Sequence, residues 1–223
     1  MVYYFTELHK LDKEFIKKVM PLLPKDRRNK TERIKKGRDR YLSIIAYVLL
    51  FFGLKKEGII LSDTSFQYNE FGKPHFGGVK PVSFNLSHCK LGAACAISSE
   101  TVGMDIQEII PINTLILKKV CSDKEIMSIK GSKKPGSEFT LLWTRKESYL
   151  KATGKGISEA FREINFGIDK KGNVYKGGFL LTSNIYENYV ITVCSLERKS
   201  QCFIEVSIES MRNFIDVNQR LNQ

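Results

Sequence analysis

The chain has no C-x-x-C pair, although it contains five cysteines, Cys89, Cys95, Cys121, Cys194 and Cys202. An odd count without paired spacing argues against a disulfide framework or a zinc ribbon and predicts buried, reduced thiols in a cytoplasmic protein. A membrane helix needs roughly 18 apolar residues. The longest apolar stretch here, residues 41–54, is shorter and lies inside the chain, so it predicts a buried core helix and no membrane partner. The N-terminus lacks the basic segment and apolar run of a secretory signal. Without a G-x-S-x-G elbow an α/β-hydrolase is disfavoured, and without a P-loop so is an ordinary P-loop NTPase. No RNP, KH or zinc-finger signature accompanies the basic composition. Short repeats and low-complexity tracts are also missing.

What the sequence does have is positive charge. Its 223 residues include 36 Lys+Arg against 24 Asp+Glu, a formal net charge of +12. Such an excess implies an anionic partner, whether nucleic acid, phosphorylated ligand or acidic protein. The charge leans to the N-terminal half, and residues 25–40 alone hold nine basic and three acidic side chains.

Hydrophobic periodicity and turn residues predict an α+β chain. Strands are expected at 2–8, 66–68, 82–86, 91–98, 102–107, 163–168, 179–186, 189–196 and 202–206. Helices are expected at 12–20, in part of 25–37, at 38–53, from about 123, at 137–152 and at 209–220. Ser122-Asp123-Lys124-Glu125 is a capping box, which places a helix start near Asp123. The two halves share a helix-then-strands order. This suggests two similar α/β lobes, 1–104 and 105–223, with the divide falling within 101–110.

Three segments offer chemistry. In Phe84-Asn85-Leu86-Ser87-His88-Cys89 a strand ends in a hydroxyl and an imidazole able to donate to a phosphate, or simply in a polar turn. In Val102-Gly103-Met104-Asp105-Ile106-Gln107 strand alternation puts Asp105 and Gln107 on one face and turns Glu108 away, while Gly103 permits close approach of another group. A carboxylate on an apolar strand calls for a partner or a metal, or it caps a neighbouring element. In the third segment, residues 143–156, Trp143, Glu147 and Lys151 share one helical stripe, where the Glu–Lys pair either faces a cleft or merely steadies the helix. Asp105 and Glu147 together offer hard oxygens to magnesium, which is usually held by one or two carboxylates plus substrate phosphates. Ser87, His88 and Lys151 could then meet those phosphates. The sum is a phosphoryl-transfer constellation.

At these residues the chain resembles the Sfp-type 4′-phosphopantetheinyl transferases. FNLSHC at 84–89, VGMDIQ at 102–107 and WTRKESYLKATGKG at 143–156 follow the family's three motifs in order, and FGKPHF at 71–76 matches its G-K-P turn. The resemblance implies two similar α/β lobes related by a pseudo-two-fold axis, with the active site in the cleft between them. It implies Mg²⁺-dependent transfer of the phosphopantetheinyl arm of coenzyme A to a serine of an apo acyl or peptidyl carrier protein, with release of adenosine 3′,5′-bisphosphate. By position, Asp105, Gln107 and Glu147 resemble the metal ligands. Ser87, His88 and Lys151 resemble the phosphate contacts, Lys73 the lysine beside the nucleotide, and Lys25, Arg28 and Arg40 the site for the 3′-phosphate. Glu147, Lys151 and His88 then form the catalytic group, with Glu147 as a base on the carrier serine. Gln107 departs from the carboxylate many relatives have, which removes one negative charge and should weaken the hold on magnesium. Cys89 stands where Ser is usual. Carriers of fatty-acid, polyketide and peptide synthesis all fit, and their common acidity suits the remaining positive charge. A monomer is expected because both lobes lie in one chain. The rival readings are a basic nucleic-acid-binding protein, a metal-dependent phosphodiesterase and, on account of Gln107, a degenerate family member acting only as an interaction protein.

Overall fold

The computed structural model describes residues 1–35, 37–61, 65–77, 82–154, 159–166, 173–197 and 199–221. Two long helices organise them, and each owes its form to the strands beneath it. Helix α3 (Gly37–Lys56) is apolar almost all round from Leu42 to Leu54, because it is enclosed on several sides. It lies on a four-stranded sheet of order β10-β1-β5-β4, built from β1 (Val2–Phe5), β4 (Ser83–Cys89), β5 (Gly92–Ser98) and β10 (Phe203–Glu205). Helix α6 (Pro135–Thr153) lies on a second sheet of order β6-β9-β8-β7, formed by β6 (Val102–Glu108), β7 (Val174–Lys176), β8 (Phe179–Ile185) and β9 (Tyr189–Ser195). A two-stranded ribbon of β2 (Phe66–Tyr68) and β3 (Pro74–Phe76) packs beside β4. The runs β1-β5-β4 and β6-β9-β8 have the same antiparallel order, and in each the long helix falls between the first strand and the hairpin.

Strands β1, β5 and β9 are buried on both faces, so they read as near-continuous apolar runs. Tyr3 and Phe5 point into the α3 core, whereas Val2 and Tyr4 join a central cluster. That cluster also takes Ala94 and Ala96 from β5, Val102, Met104 and Ile106 from β6, and Ile191 and Val193 from β9. A third core beneath α6 is closed by α4 (Thr114–Val120) and α5 (Asp123–Gly131) through Leu117, Val120 and Ile129. The shorter helices α1 (Lys13–Val19) and α7 (Ile208–Leu221) pack on α3, and the basic helix α2 (Lys25–Glu32) leads into it. The chain's last strand and last helix thus return to the first sheet, where β10 pairs in parallel with β1.

The two sheets do not share a backbone ladder. Instead, alternate polar side chains of β4 accept from alternate amides of β6. Val102 N–H donates to Ser83 Oγ (3.2 Å), Met104 N–H to Asn85 Oδ1 (2.9 Å) and Ile106 N–H to Ser87 Oγ (3.5 Å). Each is a buried or half-buried donor that needs a partner.

Most expected elements are present. The capping box at Ser122 forms, with Glu125 accepting from the Ser122 amide. Three readings need correction. Residues 163–166 form a turn and irregular chain rather than a strand, and the remaining 167–168 lie outside the described residues; the edge strand of this sheet is Val174–Lys176 instead. Helix α4 was not foreseen; Asn113 starts it by accepting from the amides of Leu115 and Ile116. Residues 74–76 form a strand within the expected G-K-P turn region. Four cysteines are free and buried as expected, but Cys202 is exposed. No helix among the described residues is long and apolar enough to cross a membrane.

Gly103 sets the distance between α6 and β6. A Cβ there would stand 2.2 Å from both Ser148 O and Ala152 N of the helix. Along the same helical face Thr140, Thr144 and Ser148 are small and fully buried, so the helix backbone can descend onto the sheet. Gly103→Ala should therefore lower the urea-unfolding free energy by about 1–3 kcal/mol, the usual range for overpacking. An unchanged midpoint would show that α6 can ride outward without cost.

Candidate functional site

The approach at Gly103 places Asp105, two residues along β6, under the last turns of α6. Asp105 shares its face of β6 with Gly103 and Gln107, as alternation requires. Its Oδ1 accepts from Lys151 Nζ (2.7 Å) and from Ser87 Oγ (2.7 Å), and Lys151 also donates to Ser87 Oγ (3.2 Å). One residue from each of the three sequence segments thus meets at one point. Lys151 reaches across to the strand rather than back to Glu147 on its own helix. Glu147, one turn earlier, is only 6% exposed. Burial raises its carboxyl above the ordinary carboxylate range; Lys151 opposes that shift and Asp105 adds to it.

Asp105 Oδ2 is buried and has no hydrogen-bond partner. A carboxylate oxygen in that position is costly unless something else occupies it. Among the described residues no three His, Cys, Asp or Glu side chains cluster. The set here is two carboxylates and the amide of Gln107, all oxygen donors, which suits a magnesium ion completed by substrate phosphates. Glu108 faces the other way and pairs with Lys90 (3.1 Å).

His88 stands exposed at the end of β4. Desolvation by its surroundings lowers its pKa; Asp39 works against that shift, while Lys151 and Arg27 reinforce it. Asp39 at the start of α3 and Arg27 of α2 thus share the electrostatic surroundings of His88. The Arg27 guanidinium lies 4.3 Å from the Tyr47 ring centre and donates to Ser43 Oγ. Arg28 and Arg40 each have a buried Nε without a partner, and Lys25 is exposed. None of these three forms a described hydrogen bond to the Asp105 cluster. Lys73 comes from the ribbon turn, and burial lowers its pKa to about 8. Its ammonium donates to Val102 O (2.9 Å) and Lys151 O (2.7 Å). A pocket of about 190 Å³ is lined by Gly72, Lys73, Pro74, Asn85, Glu147 and Lys151, among others. A larger groove of about 1020 Å³ runs along α3 near Phe51 and Phe214. Its walls are apolar apart from Lys55 and Ser65, so it offers little to a polyanion despite its size.

The profile of the 4′-phosphopantetheinyl transferase superfamily matches residues 101–194, a stretch that holds Asp105, Glu147 and Lys151. The 4′-phosphopantetheinyl transferase gsp of Aneurinibacillus migulanus is 32% identical over 71% of this chain and 70% of its own length. The chain belongs to the 4′-phosphopantetheinyl transferase superfamily. The 4′-phosphopantetheinyl transferase Sfp of Bacillus subtilis strain 168 is 26% identical over 83% of this chain and 87% of its own. A eukaryotic relative, the L-aminoadipate-semialdehyde dehydrogenase-phosphopantetheinyl transferase of Saccharomyces cerevisiae, is 26% identical over 70% of this chain.

Two residues of this transferase escaped the sequence reading. Lys146 is wholly buried beside Glu147 and pairs with Glu125 (2.8 Å), while also donating to Val120 O (2.8 Å) and Phe161 O (2.9 Å). Glu125 is the capping-box glutamate, so one carboxylate ties the start of α5 to the middle of α6. Removing one partner of such a pair costs about 3–5 kcal/mol, because the other charge stays buried. The signal was present: Lys146 falls between Leu142 and Leu150 on an apolar stripe. Arg27 is the second, and only its tertiary seat on Tyr47 distinguishes it from the basic residues around it.

The raised carboxyl of Glu147 makes a stability prediction. Its folded pKa lies above the unfolded one, so the native state holds the proton more tightly and loses stability as pH rises through the shifted value. Glu147→Gln carries no such cost. In chelator at neutral pH this variant should unfold at higher urea than the parent, and the gap should close below the ordinary carboxylate range. A lower midpoint at neutral pH would mean that the ionised carboxylate is a net stabiliser.

Proposed function

We propose that this enzyme transfers the 4′-phosphopantetheine arm of coenzyme A to a serine of an apo carrier protein and releases adenosine 3′,5′-bisphosphate. The observation that carries the reading is the meeting of Asp105, Ser87 and Lys151 with buried Glu147 beside them. The repeated β1-β5-β4 and β6-β9-β8 order supports two similar lobes related by a pseudo-two-fold axis, with the substrate between them. On this reading residues up to about 104 supply the nucleotide-binding lobe, and those from 105 the metal site and the catalytic helix.

Asp105, Gln107 and Glu147 would hold Mg²⁺, and the unpartnered Asp105 Oδ2 supports that assignment. When bound, the ion would neutralise charge on the pyrophosphate of coenzyme A. Lys151, Ser87 and His88 donate to the phosphate oxygens. Lys151 already stands at that point, and the single O–H of Ser87 turns from Asp105 Oδ1 to reach a phosphate oxygen. Glu147 takes the proton of the carrier serine, directly or through water. The serine oxygen then bonds to the phosphorus on the pantetheine side. The bond from that phosphorus to the bridging oxygen breaks, and its electron pair leaves with adenosine 3′,5′-bisphosphate. Lys25, Arg28 and Arg40 receive the 3′-phosphate, a role supported by the buried, unpartnered Nε–H groups of the two arginines, a feature Arg27 shares. Lys73 lies beside the nucleotide, a reading supported by its place in the lining of the pocket with Glu147 and Lys151. The rest of the +12 charge serves docking of an acidic carrier to a monomeric, cytoplasmic enzyme that binds neither nucleic acid nor membrane.

Incubation of apo acyl and peptidyl carrier proteins with coenzyme A, Mg²⁺ and the enzyme should add one phosphopantetheinyl mass to the carrier serine. Unchanged masses with every carrier class, or hydrolysis of coenzyme A without a carrier, would overturn the reading. Gln107→Glu should lower the Mg²⁺ concentration for half-maximal rate severalfold, since a formal charge joins the set. An identical titration would place residue 107 outside it.

A further inference from the structure

Lys73 lines the pocket beside Glu147 and Lys151, and its ammonium is taken up by main-chain carbonyls. It turns beneath the end of α6 and donates to Lys151 O (2.7 Å), Ala152 O (3.5 Å) and, on β6, Val102 O (2.9 Å). An ammonium has three protons, and here all three have main-chain partners. Two of the acceptors are carbonyls of the last turn of α6, which a cation at that end satisfies and which the helix dipole makes more negative. The third belongs to the residue just before Gly103, the point at which α6 rests on β6.

The loop that delivers Lys73 is itself built for this placement. Asn69 Oδ1 accepts from the amides of Phe71 (3.1 Å) and Lys73 (2.8 Å), and Asn69 O accepts from Gly72 N–H (2.9 Å). The same asparagine abuts Gly154, whose φ of +72° closes α6, since a Cβ there would stand 3.4 Å from Asn69 Nδ2. One loop of the first half therefore grips the end of a helix of the second. Lys151 supplies a carbonyl to Lys73 and an ammonium to Asp105, so the grip acts on the very residue that meets the phosphate site.

We infer that Lys73 is a positioning residue: its ammonium locks the last turn of α6 to β6 and so holds Lys151 against Asp105. The inference rests on the assignment of Lys151 to the phosphate site and goes beyond it, because it gives the lysine of the G-K-P turn a role through the helix rather than through the nucleotide.

Lys73→Met keeps the stem and removes the ammonium. Amide hydrogen exchange at Thr153 and Gly154 should accelerate about tenfold or more relative to the parent, because the last turn is freed to open. kcat should fall about 10- to 100-fold, the usual effect of a misplaced group, with the coenzyme A KM within about threefold of the parent. In a Lys151→Met background the same change should cost less than about twofold in kcat, because the group it positions is gone. Unchanged exchange would overturn the lock whatever Lys151 does. So would a raised coenzyme A KM at unchanged kcat, which marks direct nucleotide contact, or full additivity of the two losses. If Lys151→Met alone leaves kcat intact, the phosphate-site assignment fails, and the exchange result still decides the lock. Should Lys73→Met not fold, Lys73→Gln, which retains two N–H donors without the charge, is measured in the same way and should give smaller changes of the same sign.

Discussion

A Cβ at residue 103 would stand 2.2 Å from two backbone atoms of α6, so helix and strand meet there with no side chain between them. Such contact is available only where the strand supplies glycine and the helix supplies small residues, here Thr144 and Ser148. The consequence is geometric. Ordinary side-chain packing would hold the helix farther out, and with it the backbone that carries Glu147 and Lys151 over Asp105. The site depends on this approach more than on any single polar contact, and the buried Lys146–Glu125 pair and the Lys73 contacts brace the helix from either side of it.

Much of this was legible from spacing. Alternation along 102–108 correctly separated Asp105 and Gln107 from Glu108, which turns away to Lys90. The glycine at 103 was legible as a place of close approach, although the identity of the visitor was not. The capping box at Ser122 and the end of α6 at Gly154 follow from local backbone chemistry that no distant contact overrides. What was hidden is tertiary. Nothing local says that Lys146 is wholly buried, and only its place between two leucines hints at it. Helix α4 depends on burying Leu117 and Val120 rather than on propensity. Residues 163–166 have strand-like composition, yet their Ile164 and Phe166 fill the core under α6 from an irregular chain. Side-chain volume mattered there more than backbone pairing.

The excess of positive charge is likewise distributed by structure rather than by sequence. Lys146 and Lys73 are spent on internal acceptors. Arg27 is held by an aromatic face and a hydroxyl. Lys151 is paired with an internal carboxylate, that of Asp105. A count of basic residues therefore overstates the charge offered outward.

The side-chain ladder between β4 and β6 has a consequence for energetics. Ser87 is at once a rung, accepting from the Ile106 amide, and a member of the Asp105–Lys151 cluster; Asn85, the neighbouring rung, lines the pocket. Cohesion between the two sheets and occupancy of the site are therefore drawn from the same atoms. On the proposed function, a molecule bound to those atoms would be tied thermodynamically to the seam, and filling the site would tighten the junction between the halves.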